Sequence, residues 1–394
     1  MISKAKTSHS LESFFRDIFK PDSNVPHRAL RWKKYLVVPT IIAFMYLVYA
    51  FNQEERILIP SYWVHPKNLA ETGKDDRPVV ATAACGVQAT EEVLLSLRSL
   101  ILLSHVPFRF VVVADEPTTK LFQQVQRTLP SHVQLEIVGI YKRIPWKYRP
   151  WHNAFHEPCH WQRLFLPYIL PHDRFVVYVD ADVLFFVGVE DVWQAFSRLG
   201  PNHLFGFTME HEENSTSSIY ESGFHSGVPY YGKSGLQGGV FSMDLAKLRP
   251  MGWEDEVQKI LEEHGRLGWM DQDVLNIFGH HHPDTIKVLP CRWNFRQVHC
   301  IYEDNRCLPA QEEGIALLHG SGNAFHNWRY PGIRTAADVF REWDFRADPS
   351  GLADEMERRI AMLDGNASCD PLRLRFFSKA IRNQMPQAFV ASGD

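Results

Sequence analysis

Short apolar runs and longer stretches of helical spacing alternate along the first half of this chain. Pro78–Cys85, Phe108–Ala114 and Val133–Ile140 are dense in Val, Ile, Ala and Phe. Runs of this length and composition predict buried strands. Between the first two, Thr90 followed by Glu91 and Glu92 marks a helix start, since acids suit the positive end of the helix dipole. Val93, Leu94, Leu97, Leu100 and Ile101 supply its apolar face. Thr118–Leu129 predicts a second helix and Cys159–Ile169 a third. Strand and helix in alternation predict an α/β domain with a parallel sheet covered on both faces.

The most informative run is Phe175–Phe186, where Asp180 and Asp182 interrupt a sequence of Val and aromatic residues. Side chains two apart on a strand point the same way, so both carboxylates face one spot and Ala181 turns the other way. Two like charges side by side in apolar surroundings are costly unless a cation neutralises them. A hard divalent ion with oxygen ligands, Mg²⁺ or Mn²⁺, answers that need. The competing reading is a strand that runs out into a polar turn, and the Leu184-Phe185-Phe186 that follows argues against it. In open α/β sheets, ligands bind beyond the carboxyl ends of the strands, where this pair falls.

Near the start, His27, Arg28, Arg31, Lys33 and Lys34 precede an uncharged run, Tyr35–Phe51, and Glu54 and Glu55 follow it. The run is near the lower limit for spanning a bilayer. Its basic flank predicts a cytoplasmic N-terminus and a lumenal remainder. A cleaved signal peptide ending near Ala50 and a buried core helix compete with this, but the leader is long for the first. The expected layout is a tail at 1–34, a signal anchor at 35–51, a stem at 52–76, a catalytic domain at 77–345 and an extension at 346–394, in which Glu355–Leu363 reads as a helix. A short span suits the thin membranes of the early secretory pathway.

The chain has 394 residues and a formal net charge of -4, which gives no electrostatic case for nucleic acid. Its cysteines, Cys85, Cys159, Cys291, Cys300, Cys307 and Cys369, all follow the expected anchor, in what would be an oxidising lumen. Cys300 and Cys307 flank a short loop and are the expected pair. Zinc held by Cys291, His299, Cys300 and Cys307 is disfavoured by their irregular spacing. Asn214-Ser-Thr216 and Asn366-Ala-Ser368 are glycosylation acceptors if lumenal. No nucleophile elbow or phosphate-loop lysine motif is present.

Other residues gather around the Asp-x-Asp run. Arg163, on the helix before it, suits a phosphate or a carboxylate brace, and equally a plain surface arginine. Gly238 and Gly239 precede an apolar strand and admit close backbone approach to a ligand, or simply a tight turn. Asp271 and Asp273 open a helix, with Gln272 between them; capping is the plain alternative. Ile315–His319 is the last strand-like run. His319 suits a metal shell as neutral imidazole, although a histidine there is more often structural. Gly320 and Gly322 leave room for a phosphate at the backbone amides. His326, Trp328 and Arg329 follow and would line the same cavity.

Taken in order, Arg163-Leu-Phe-Leu-Pro167, Asp180-Ala-Asp182, Asp271-Gln-Asp273 and His319-Gly320 resemble the glycogenin-like retaining glycosyltransferases of family 8. Glu210–Glu213, Pro229–Gly235, Trp269–Asn276, Cys291–Asn294, His299–Tyr302 and Leu318–Gly320 are similar to the glucoside xylosyltransferases within it. The likeness runs from about Val79 to about His326. It implies an A-type, Rossmann-like glycosyltransferase domain. It implies Mn²⁺, with Mg²⁺ as the substitute, on Asp180, Asp182 and His319, holding the donor diphosphate. It places Ala83, Ala84 and Cys85 near the uracil and ribose, Arg163 and Ala181 near the donor, and Asp271 and Gln272 at the reacting face. Gln237 stands where relatives commonly carry Asn, and Gly238, Gly320 and His326 complete the donor site, the last in place of a lysine common in the family.

The same resemblance implies UDP-xylose as donor and O-linked glucose on EGF-like repeats, such as those of Notch, as acceptor, joined α1,3. The enzyme would be a type II membrane protein of the endoplasmic reticulum or Golgi. A pentose pocket must be closed where glucose carries its hydroxymethyl, and Trp293 or Trp328 would supply that bulk. A family member with another UDP-sugar donor or a xyloside acceptor, and an inactive lumenal sugar-binding module, are the alternatives.

Overall fold

The computed structural model describes residues 77–139, 159–212, 218–220, 227–264, 267–302, 305–344, 347, 350–363 and 376–384. The expected tail, anchor and stem, both glycosylation triplets and Cys369 lie outside the described residues. Among those described, no helix is long and apolar enough to cross a membrane.

Seven strands form the central sheet in the order β3-β2-β1-β4-β7-β6-β8. They are β1 (Val79–Ala84), β2 (Phe108–Ala114), β3 (Val133–Gly139), β4 (Phe175–Val179), β6 (Phe205–Met209), β7 (Leu236–Asp244) and β8 (Ile286–Leu289). Two more, β5 (Val183–Phe185) and β9 (Leu317–His319), pair antiparallel beside it. The expected all-parallel sheet needs one correction. β7 runs antiparallel to both β4 and β6, so the sheet is mixed. Every residue of β7 is buried. A strand buried on both faces shows the same pattern of burial whichever way it runs, so the pattern carries no direction.

The helices include α1 (Gly86–Leu103), α2 (Glu116–Val125) and α3 (Met270–His281). Apolar residues on the two faces of the sheet build two cores. Val80, Leu97, Phe110 and Val177 belong to one, and Ala81, Val111, Tyr178 and Phe278 to the other. The third expected helix is a 3-10 turn, His160–Phe165, that becomes α-helix only over Leu166–Ile169. Pro167 lacks the N–H that would bond back to the Arg163 carbonyl, and Leu166 makes the tighter bond to that carbonyl instead.

Three further helices, α4 (Pro331–Glu342), α5 (Ser350–Ile360) and α6 (Phe376–Gln384), follow β9. Leu352, Met356, Ile360 and Ile381 are buried in the same core as β5 and β9. Described residues past 345 are therefore part of the domain's own packing. Gly314, at φ +89°, lets α6 come close, since a Cβ there would stand 2.5 Å from the Ala380 nitrogen.

Cys291 pairs with Cys307, and Cys85 with Cys159. This corrects the Cys300–Cys307 pairing, because Cys300 is disulfide-bonded elsewhere and Cys307 reaches Cys291 at a Cα separation of 5.8 Å. It also removes the thiolates a zinc site would need. The Cys291–Cys307 bridge closes a loop with a sequence separation of 16. Losing a constraint of that size costs about 3 kcal/mol in the chain-entropy account. The double variant Cys291→Ser/Cys307→Ser should unfold at lower urea, less stable than the parent by that amount, with a steeper transition because the unfolded chain is no longer cross-linked.

Candidate metal centre

The apolar run breaks at Asp180. β4 ends at Val179, residues 180–182 form a turn, and β5 resumes at Val183. The two carboxylates face one spot as expected, through a turn rather than through the pleat of a continuous strand. Neighbouring strands hold that turn by backbone bonds. The Asp180 N–H donates to the Gly239 carbonyl at 2.7 Å, and the Gly320 N–H to the Asp182 carbonyl at 2.7 Å. β9 sets Val183 opposite His319. His319 Nε2 lies 3.3 Å from Asp182 Oδ1 and 3.7 Å from Asp180 Oδ2.

One ligand atom from each of Asp180, Asp182 and His319 falls within 4.8 Å of the others. Two carboxylates and one imidazole make a donor set that a divalent ion fits, and Mn²⁺, though hard, accepts the single nitrogen beside the oxygens. Gly239 shows how tightly these side chains crowd. A Cβ at this position would stand 2.1 Å from His319 Cε1 and 2.9 Å from Asp180 Oδ2. Gly239→Ala should therefore displace two of the three candidate ligands and lower divalent-metal affinity about 10- to 100-fold, measured by metal titration.

Arg163 is 4% exposed and turns both ways. Its Nη2 is 2.9 Å from Asp180 Oδ1, its Nε 2.8 Å from Asp271 Oδ2, and its Nη1 donates to the Gly238 carbonyl at 2.6 Å. Of the readings open for Arg163, the structure shows the carboxylate brace. Burial alone would lower its pKa, but Asp180 and Asp271 outweigh that and keep the guanidinium protonated. Its Nε–H points at the His160 carbonyl, so Asp271 Oδ2 is an ion-pair neighbour that accepts no hydrogen bond among the described residues. Burial pushes the Asp271 carboxyl above its ordinary range, with Arg163 opposing the shift.

Asp271 and Gln272 sit in the first turn of α3. The capping reading holds for Asp273, whose Oδ2 accepts the Trp269 N–H at 2.8 Å. Gln272 Oε1 accepts the Gly238 N–H at 2.9 Å, and its Nε2 faces Glu210 Oε2 and the Tyr220 hydroxyl at 3.3 and 3.4 Å. Glu210 is buried against Arg296 at 2.8 Å. Gln237 Oε1 accepts the Gly239 N–H at 2.6 Å. Thus Gln237-Gly238-Gly239, inside β7 rather than before it, ties the metal ligands to the Asp271–Gln272 pair.

The other expected residues sit around this centre. Ala83 and Ala84 end β1, which pairs β4 through Ala81 and Tyr178, so this end lies beside Asp180. Cys85 is committed to its disulfide. Ala181 is half-buried against the core beneath the turn. Gly320 has no room for a side chain, since a Cβ would meet the Phe325 ring at 2.8 Å. His326 Nε2 contacts Glu92 Oε1 at 2.9 Å. Burial, then repulsion from Asp182, raises the Glu92 pKa.

Trp293 does not close this site. It packs against Phe196 and lines a separate cavity of about 490 Å³ with Val187, Lys287 and Leu289. Trp328 is 61% exposed under the Arg334 guanidinium. Sequence reasoning gave no role to Thr208, Glu210, Tyr220, Asn294 or Arg296. The signal for four of them was a polar or charged residue in or beside an apolar run, as in Phe205–Glu210 and Trp293–Arg296.

A mixed Rossmann-like sheet whose central strand ends in an Asp-x-Asp turn, facing a histidine from a distant strand, defines an A-type glycosyltransferase. The profile of Glycosyl transferase family 8 matches residues 78–330. Glucoside xylosyltransferase 1 of Danio rerio is 32% identical over 284 residues, 68% of this chain and 69% of that protein. The Gallus gallus protein of the same name is 30% identical over 316 residues, 73% of this chain and 72% of that one. The apo crystal structure of mouse Xyloside xylosyltransferase 1 is similar with a TM-score of 0.48 at 17% identity, covering 63% of this chain and 98% of that chain. The chain belongs to glycosyl transferase family 8.

Proposed function

We propose that this chain transfers xylose from UDP-xylose to O-linked glucose on EGF-like repeats, such as those of Notch, with retention of configuration. The observation that carries the reading is the Asp180–Asp182–His319 cluster joined through Arg163 to Asp271. Relatives named for glucoside xylosylation, matched over most of the domain, support the choice of sugars. Asp180, Asp182 and His319 would hold Mn²⁺. A divalent ion bound there would neutralise the charge that develops on the departing diphosphate.

In this reading the anomeric C1–O bond to the β-phosphate breaks, and its electron pair leaves with UDP. The acceptor hydroxyl oxygen forms the new bond from the same face, and its proton passes to a phosphate oxygen of the donor. Asp271 Oδ2, which accepts no hydrogen bond among the described residues, stabilises the positive charge that builds at the anomeric carbon. Its pairing with Arg163 favours that role over attack on carbon.

We also place residues 35–51 in the membrane of the endoplasmic reticulum or Golgi, with the catalytic domain lumenal. The disulfides Cys85–Cys159 and Cys291–Cys307 support an oxidising compartment.

The purified full chain should be assayed with UDP-xylose, UDP-glucose and UDP-galactose on O-glucosylated, xylosyl-glucosylated and bare EGF repeats. Xylose should appear on the O-glucosylated repeat alone, vanish with EDTA and return with Mn²⁺. Faster transfer of another sugar, preference for the xylosylated acceptor, or undiminished turnover in EDTA would overturn the reading.

A further inference from the structure

The backbone N–H of Gly239 begins a chain of hydrogen bonds that ends at His319. It donates to Gln237 at 2.6 Å. A backbone N–H can only donate, so the Gln237 atom facing it must be the amide oxygen. That oxygen also lies 2.7 Å from the Asn294 amide, so the Asn294 atom there must be the donor Nδ2. Nδ2 reaches the Thr208 hydroxyl at 3.1 Å as well. The other edge of the Asn294 amide is therefore its oxygen, and it lies 3.0 Å from His319 Nδ1. An amide oxygen only accepts, so Nδ1 carries the ring proton. Neutral imidazole has a single N–H. Nε2, which faces the Asp180 and Asp182 carboxylates, is left with its lone pair.

Each link is sheltered from water. Thr208 and Asn294 are 1% exposed, His319 3% and Gln237 7%. A flipped amide anywhere in the series would set two donors or two acceptors against each other in a buried site.

We propose that Gln237 and Asn294 are positioning residues whose amides hold His319 in its Nδ1–H tautomer and so present Nε2 to a divalent cation. This rests on the reading of the cluster as a metal centre. It assigns Gln237 to orientation of the metal shell in place of contact with the donor sugar. The source of the order is the strand itself, because β7 supplies the fixed donor at Gly239.

The test uses the full chain with ¹⁵N-labelled histidine. The His319 signals are identified by their loss in His319→Gln, and Mn²⁺ binding is followed by electron paramagnetic resonance without donor. Asn294→Leu should mix the two His319 tautomers and weaken Mn²⁺ binding about 10- to 100-fold. Asn294→Asp keeps an acceptor at Nδ1 and should keep the tautomer. Gln237→Glu keeps the acceptor oxygen and should keep the Nδ1–H tautomer, whereas Gln237→Leu frees the Asn294 amide to turn, and should mix the tautomers and weaken Mn²⁺ binding. Gln237→Leu decides the matter if Asn294→Leu does not fold. The proposal is overturned if His319 stays Nδ1–H in both leucine variants, or if both bind Mn²⁺ as tightly as the parent. Should the parent itself bind no Mn²⁺ while the tautomer still responds to Asn294→Leu, the metal reading fails and the positioning of the ring stands.

Discussion

Arg163→Met should lower stability by about 3–5 kcal/mol and reduce transfer below detection. The side chain is nearly the same size, so packing changes little. What changes is charge. Asp271 is 4% exposed and Asp180 partly so, and each has its guanidinium neighbour within 2.9 Å. Without the arginine, two carboxylates share a poorly hydrated space, and the Gly238 carbonyl loses its donor. Arg163→Lys should rescue little, because one ammonium cannot span the positions that the planar fork reaches. The double variant Arg163→Met/Asp271→Asn should recover part of the lost stability, since one of the stranded charges is gone, and none of the activity. Urea midpoints for the three variants, with turnover measured alongside, check the account. A midpoint for Arg163→Met equal to the parent's would show that the brace is not needed.

That brace also marks how far the sequence could be read. Asp180 and Asp182 stand out because acids in an apolar run contradict their surroundings. The contradiction is local, so it is visible in a window of a dozen residues. Arg163 carries no such mark. Its partner Asp271 arrives much later in the chain, and only the close approach of α3 to the 3-10 turn brings them together. The same holds for Asn294. It lies in a stretch already conspicuous in the sequence, Cys291–Asn294, but its role depends on which atoms of Gln237 and His319 it faces. Strand direction is a third case. β7 runs against both of its neighbours, and nothing in a list of buried residues says which way it points. Cysteine pairing failed for a related reason. Nearness along the chain favoured Cys300 for Cys307, whereas the fold brings Cys291 to within bonding reach.

The C-terminal helices fit the same division. A helix was expected over Glu355–Leu363, and the structure places it at Ser350–Ile360, starting earlier and giving way to a turn over 361–363. That Leu352, Met356 and Ile381 complete the core around β5 and β9 was not legible. Amphipathic spacing says that a helix buries one face, and it does not name what that face meets.

Asp271→Asn should separate activity from stability. Turnover should fall about 10²- to 10³-fold, the usual scale for removing one group aimed at a developing charge. Stability should hold or rise at neutral pH. Burial raises the Asp271 pKa from its ordinary 3.8, against the pull of Arg163. The folded protein therefore binds this proton more tightly than the unfolded chain does. Between the ordinary value and the raised one, the folded state carries more protons, so stability falls as pH climbs through that window. The penalty is fully present above the raised pKa and absent well below 3.8. Asparagine has no charge to desolvate and escapes it. Arg163 still keeps Asp180, the Gly238 carbonyl and the His160 carbonyl as partners. The melting temperature of Asp271→Asn minus that of the parent should accordingly grow from acid to neutral pH, while kcat stays low throughout. A variant that is inactive and also less stable at neutral pH would place Asp271 among the groups that hold the fold together, and the charge-stabilising role would lose its support.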